Sequence, residues 1–283
     1  MSLLLRHRKL GIPTTFRIDE PELEELARDL HSSAMDGEAR CSDGTPADLI
    51  WKSAGNGWNI ILKGVAWGAG SLRKDDLFLQ SDSLIDDLVR ERLTAYPLLH
   101  AAAVANNCGR VAVICGGPGA GKTSLATEAV LRGYRWLSDE LLCFRQSDPL
   151  IAEGFRRDFN IKEHSFANFP QILGTRNSRE FASLAHGQRI RFFNPDLLFG
   201  GQYASAGRVQ AIFLPEYSNV AKAFAIPVKG PELVDHLAPE LRTTNAQSIT
   251  WLAEVTRIVP AFTLRYHRPD DAVDCLFNLW NRL

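Results

Sequence analysis

The chain has 283 residues, enough for one large core or two modest ones. Hydrophobic residues make up 45% and charged residues 23%, ordinary globular usage that excludes a disordered or fibrous chain. A formal net charge of -1 gives no electrostatic case for nucleic acid, and no run of roughly 18 apolar residues is present for a membrane span, so neither partner is expected.

Elements follow in chain order. The N-terminal MSLLLRHRKL places its basic residues after a short apolar run, unlike a secretory leader. The five cysteines (Cys41, Cys108, Cys115, Cys143, Cys275) are odd in number and lack C-x-x-C spacing, which fits a reducing compartment. A cytoplasmic protein is expected. Pro21 to His31 has amphipathic helical spacing, with Asp19 as N-cap. Gly55 to Gly57 reads as a turn, and Trp58 to Ala66 and Asp76 to Gln80 read as strands. Ser83 to Tyr96 reads as a helix ended by Pro97. These elements form a small α+β N-terminal domain, residues 1–96, before a larger domain, residues 97–283.

In the larger domain, strand Leu98 to Ala105 meets a turn at Asn106 to Gly109 and an apolar strand, Val111 to Cys115. A glycine-rich loop, a helix from Lys122 to about Leu131 with Gly133 as its stop, and a strand from Tyr134 to Leu137 follow. The order predicts a βαβ unit and an α/β fold built on a mainly parallel sheet with flanking helices, the last strand beside the one before the loop. Residues 148–207 read as loops and short elements. Arg208 to Leu214 reads as a strand, and Pro231 to Leu241 and Asp270 to Leu283 as helices.

The loop Gly116-Gly117-Pro118-Gly119-Ala120-Gly121-Lys122-Thr123, followed by Ser124, matches G-x-x-x-x-G-K-[ST], the phosphate-binding P-loop. Glycines let successive N–H groups turn toward phosphate oxygens, and the helix N-terminus adds partial positive charge. Lys122 is placed to reach the β and γ phosphates, and the Thr123 hydroxyl to coordinate Mg²⁺. ATP and Mg²⁺ are therefore the expected cofactors. Asp139 and Glu140 end the next strand, where a parallel sheet faces its ligand crevice. Either carboxylate suits a metal ligand, and either suits a proton acceptor. His100 lies among small residues on the strand before the loop strand, which suits a core residue or a contact to phosphates or a carboxylate. Arg189-Ile190-Arg191-Phe192-Phe193 reads as a strand with snorkelling arginines.

His100-Ala101-Ala102, the GGPGAGKTS loop and Arg132-Gly133-Tyr134-Arg135-Trp136-Leu137-Ser138-Asp139-Glu140 together resemble the catalytic core of the HPr kinase/phosphorylase family. The resemblance spans Leu98 to Arg145, about a sixth of the chain. It implies an HPr kinase-like sheet and transfer of phosphate from ATP to a serine hydroxyl. It also implies Asp139 as general base, Glu140 in place of the family's second aspartate, His100 near the phosphates, and Lys122 and Thr123 in the P-loop roles. The family's later glycine-rich signature and its Pro-Gly-Arg-Asn stretch are absent, which argues against HPr itself as substrate and against phosphorolysis. In their region stands Arg156-Arg157-Asp158-Phe159-Asn160-Ile161-Lys162-Glu163. There Arg157 and Lys162 suit charge neutralisation of the transferred group or a solvated loop, and Glu163 is a weaker metal candidate.

The expected activity is a serine kinase acting on a peptide or protein, a lasso-type peptide precursor being the preferred acceptor. A small-molecule hydroxyl kinase and a nucleotide-binding regulatory switch are the alternatives. No NKxD guanine-reading motif follows the loop. The oligomeric state, a homo-oligomer included, is left open.

Overall fold

In the computed structural model, described over residues 1–30, 32–173, 178–183, 187–200 and 202–283, the chain is mixed α/β with several sheets and flanking helices. It divides into two compact units. The first comprises residues 1–92, 156–166 and 173–194, and the second residues 93–155, 167–172 and 195–283.

The first unit is built on a six-stranded sheet in the order Met35–Cys41, Ser2–Lys9, Ile12–Ile18, Leu49–Ala54, Gly57–Leu62, Val65–Leu72. Leu10 and Gly11 both take positive φ (51° and 78°) and close the first hairpin tightly. Alternate residues Leu3, Leu5, Phe16, Ile18, Leu49, Trp51 and Ile60 form its buried face. The 19-residue helix Lys74–Arg92 joins that core through Leu77, Phe78, Leu84 and Ile85.

The expected strand Asp76 to Gln80 is therefore helical, and the expected helix from Ser83 begins nine residues earlier, at Lys74. The apolar run around Leu77 to Leu79 is too short for its period alone to separate strand from helix. The expected strand Trp58 to Ala66 is a hairpin that turns at Lys63 and Gly64. Pro21 to His31 becomes the 3₁₀ turn Pro21–Leu23 and helix Glu24–Asp29, with His31 outside the described residues. Asp19 is not its cap, since its carboxylate is taken by the Ser2 hydroxyl (2.8 Å) and Arg17 (2.7 Å).

Two later segments join the first unit because their apolar residues complete its core. Phe159–Lys162, Gln188–Phe193 and Ser178–Ser183 form a three-stranded antiparallel sheet, in a region expected to hold loops and short elements. Phe181, Ile190 and Phe192 lie in the same core as Phe78, with Phe78 stacked on Phe181 at 4.1 Å. The stretch Arg189 to Phe193 is a strand as read: Ile190 and Phe192 point inward, and the Arg189 and Arg191 side chains pair with Glu180.

The second unit carries a nine-stranded sheet. Its path runs Arg135–Ser138, Ala101–Ala105, Arg110–Cys115, Ala206–Tyr217, Ile151–Gly154, Leu142–Phe144, Leu98–Leu99. Ala261–Tyr266 pairs with Ala206–Tyr217, and Phe224–Val228 pairs with Ala261–Tyr266. Ala101, Ala103, Val111 and Val113 share one core cluster with Trp251 and Val255 of helix Ala246–Ile258. Their strand neighbours Ala102, Val104, Ala112 and Ile114 are equally buried, so the sheet is covered on both faces. Helices Lys122–Leu131 and Pro269–Trp280 pack on its strands and on each other.

The sheet is not mainly parallel. Among this sheet's described strands, only the pairings of Ala206–Tyr217 with Arg110–Cys115 and with Ala261–Tyr266 run parallel. The strand after the loop helix does not lie beside the strand before it, because Ala101–Ala105 stands between them, antiparallel to both. A hairpin from Ala101 to Cys115 with a tight turn at Asn106 to Gly109 occupies that edge first.

A buried charge network lies inside the first unit. Arg157 bonds Asp82 (2.6 Å) and Asp86 (2.5 Å), and Lys9 bonds Asp86 (2.9 Å). Asp158 accepts from the Ser32 hydroxyl (2.7 Å) and the Ser33 N–H (2.9 Å), yet burial lifts its pKa from 3.8 to about 6. A carboxyl whose folded value exceeds its unfolded one contributes stability below pH 4 that is lost as pH rises toward 6. Asp158→Asn keeps an acceptor without the charge. It should therefore gain on the native chain between pH 4 and 7, by up to about 3 kcal/mol, in urea midpoints taken across that range.

Candidate functional site

The site forms at one edge of the second unit's sheet. Strands Arg110–Cys115 and Arg135–Ser138 each run antiparallel to Ala101–Ala105, so they run in the same direction as each other. Their C-terminal ends meet the N-terminal end of Ala101–Ala105, which His100 precedes. The glycine-rich loop, the Asp139-Glu140 pair and His100 therefore converge by topology.

The loop leaves Cys115, turns through positive φ at Gly119 (81°) and Gly121 (95°), and enters helix Lys122–Leu131. Gly121 needs its freedom twice over, because a Cβ there would stand 2.0 Å from the Tyr266 hydroxyl. That hydroxyl donates to Ala120 O at 3.1 Å, and burial pushes its pKa up to about 12, so it stays a donor. No side chain caps the helix at Gly121, and the first-turn N–H groups have no intrahelical partner. Lys122 folds its ammonium back over the loop, donating to Gly116 O (2.6 Å) and Gly117 O (3.3 Å). Burial lowers its pKa, while Glu240 and Glu140 oppose that shift. Thr123 and Ser124 lie half-buried in the first turn.

Ser138 fixes the acidic turn. Its hydroxyl donates to Leu141 O (2.8 Å) and accepts from the N–H groups of Leu141 (3.2 Å) and Glu140 (3.4 Å). Asp139 is buried, whereas the Glu140 side chain is 46% exposed. Glu140 Oε1 lies 3.6 Å from His100 Nε2.

His100 sits where the strand changes partner. Leu98–Leu99 pairs with Leu142–Phe144, and Ala101–Ala105 with Arg110–Cys115. At the break, His100 N–H donates to Glu240 O (2.8 Å), and Arg242 N–H donates to Leu98 O (2.8 Å). This short antiparallel bridge, Leu99 to Leu241, brings two further charged side chains to the site. His100 Nδ1 lies 2.7 Å from Glu240 Oε2 and 2.7 Å from an Arg242 nitrogen. Burial, Lys122 and Arg242 lower the His100 pKa against the pull of Glu140 and Glu240.

Sequence reading gave Glu240, inside the expected helix Pro231 to Leu241, and Arg242, just beyond it, no role. That helix stops at Leu237, passes through the 3₁₀ turn Ala238–Glu240 and becomes extended at Leu241. Pro239 was the available signal, since proline does not continue a helix interior.

Arg157, Lys162 and Glu163 belong to the first unit, and the glycine-rich loop belongs to the second. The Arg157 guanidinium is buried against Asp82 and Asp86. Lys162 is exposed at a strand end, and Glu163 pairs with Arg189 at 2.6 Å. All five cysteines are free, and no helix among the described residues is long and apolar enough to cross a membrane.

No protein-family model matches the chain, and no curated protein matches it in sequence. Among solved structures, the Hpr(Ser) kinase/phosphatase from Coxiella burnetii is similar at 12% identity and a TM-score of 0.34, over 65% of this chain and 91% of that one. The likeness is distant.

The His100 surroundings make a measurable prediction. In imidazole NMR its titration should fall below 6.5, with Glu240→Gln moving it further down and Arg242→Ala moving it up. A His100 that titrates at 6.5 in all three proteins would contradict the geometry.

Proposed function

We propose that the chain is an ATP- and Mg²⁺-dependent phosphotransferase that phosphorylates a hydroxyl, a serine of a peptide or protein, with a lasso-type peptide precursor as the preferred acceptor. One observation carries the proposal: the glycine-rich loop with Lys122, the Asp139-Glu140 turn and His100 share one sheet edge. A loop that only closed a turn would need neither a lysine folded over it nor two carboxylates beside it. The loop glycines and uncapped helix start fit a phosphate chain.

In this reading the loop N–H groups and Lys122 hold the β and γ phosphates. The hard oxygen donors Thr123, Glu140 and Asp139 suit Mg²⁺, which when bound would neutralise phosphate charge. Asp139 takes the proton of the acceptor hydroxyl. The hydroxyl oxygen forms a bond to the γ phosphorus as the bond from that phosphorus to the β–γ bridging oxygen breaks. ADP leaves and a phosphoserine remains. His100, with Nε2 3.6 Å from Glu140 Oε1, faces this edge and supports the phosphates or the base. Catalysis by this route is positioning and electrostatics.

The test is label transfer from γ-labelled ATP with Mg²⁺ to a panel of serine-containing precursor peptides and HPr-like proteins. One acceptor should take the label. Asp139→Asn should cut that transfer at least about a hundredfold while ATP still binds. ADP release that no acceptor stimulates, with no labelled product, would sink the kinase reading.

A further inference from the structure

Two side chains compete for one nitrogen of His100. Glu240 Oε2 and Arg242 Nη2 each lie 2.7 Å from His100 Nδ1. An imidazole nitrogen is a donor or an acceptor, never both. Protonated, Nδ1 donates to Glu240 and turns its hydrogen against a guanidinium N–H. Unprotonated, it accepts from Arg242 and sets its lone pair against a carboxylate. One contact has to give.

Glu240 is the fixed member. Its side chain is 10% exposed, and its backbone carbonyl holds His100 N–H directly across the bridge. Arg242 is the loose one. Its side chain is 31% exposed, and its other contacts are long, 3.5 Å to Pro239 O and 3.6 Å to Glu240 Oε2. Glu240 lies against the glycine-rich loop, its Oε1 3.9 Å from a Cβ position on Gly117. The charges of Glu240 and Arg242 both act on Lys122 and on Cys115, the residue before the loop.

Resting on the reading that this loop holds a nucleoside triphosphate, we infer that Arg242 is a second cation for the terminal phosphate. It leaves His100 when phosphates enter and takes γ-phosphate oxygens, while His100 Nδ1–H donates to Glu240 behind it. A guanidinium suits this task because its planar fork meets two phosphate oxygens at once. Arg242 thereby supplies, from the loop's own unit, a charge neutralisation that the sequence offered as one of two readings of Arg157 and Lys162. Its exposed stem lets it swing, whereas the neighbouring Glu240 carboxylate keeps it parked beside the site.

The test is calorimetric binding of MgATP and MgADP to the full chain, for native protein, Arg242→Ala and Arg242→Gln. Native protein should bind ATP more tightly than ADP. Arg242→Ala should lose about tenfold or more in ATP affinity, with ADP affinity held within about twofold. Arg242→Gln keeps most of the side-chain stem and decides the matter if the alanine variant melts early. A variant with the native ATP-to-ADP ratio, or a native protein without preference between the two, overturns the role of Arg242 and leaves nucleotide binding standing. A native protein that binds neither nucleotide overturns the phosphotransferase reading itself, and the inference with it.

Discussion

The change of strand partner at His100 is the constraint on which the candidate site depends. A continuous strand from Leu98 to Ala105 would spend its hydrogen bonds on one neighbour. Here the chain serves Leu142–Phe144 first and Arg110–Cys115 afterwards, and the residue between them is freed to bond Glu240. That single backbone bond, with its companion from Arg242 to Leu98, imports a carboxylate and a guanidinium from a segment 140 residues away along the chain. The hairpin that follows separates two strands of common direction, so the loop and the acidic turn emerge at the same edge. Small side chains at Ala101, Ala102 and Ala103 permit this, because both faces of that strand are covered.

Local chemistry was legible in the sequence. The loop, the helix Lys122–Leu131, the hairpin turn and the acidic pair all stand where their residues suggested, because glycine freedom, helix starts and apolar runs act over short distances. Pairing was not legible. Nothing local to Tyr134 to Leu137 tells which strand it will meet, and the answer depends on a hairpin that had already taken the adjacent edge. Glu240 and Arg242 were hidden for the same reason: their importance comes from a bridge to Leu99, and only Pro239 hinted that the helix would stop. Phe181, Ile190 and Phe192 sit in a polar, arginine-rich stretch whose apolar alternation becomes meaningful only against Phe78.

Arg157 shows how burial changes the meaning of a charge. In the sequence it stands in a basic stretch beside Lys162. In the first unit its guanidinium is buried between Asp82 and Asp86, and Lys9 shares Asp86. Buried pairs recover their desolvation only when each partner is well bonded, so removal of one member is costly while the net gain of the set is small. Such a network fixes the packing of helix Lys74–Arg92 on the sheet strand Ser2–Lys9.

The central claim is that the edge formed by the glycine-rich loop is a phosphate site. The most direct measurement is amide hydrogen exchange across Gly116 to Thr123 with and without MgATP, in native protein and in Lys122→Ala. Exchange in the loop should slow about tenfold or more with nucleotide in the native protein and stay unchanged in the variant. Loop amides that exchange at the same rate with saturating MgATP would contradict the claim.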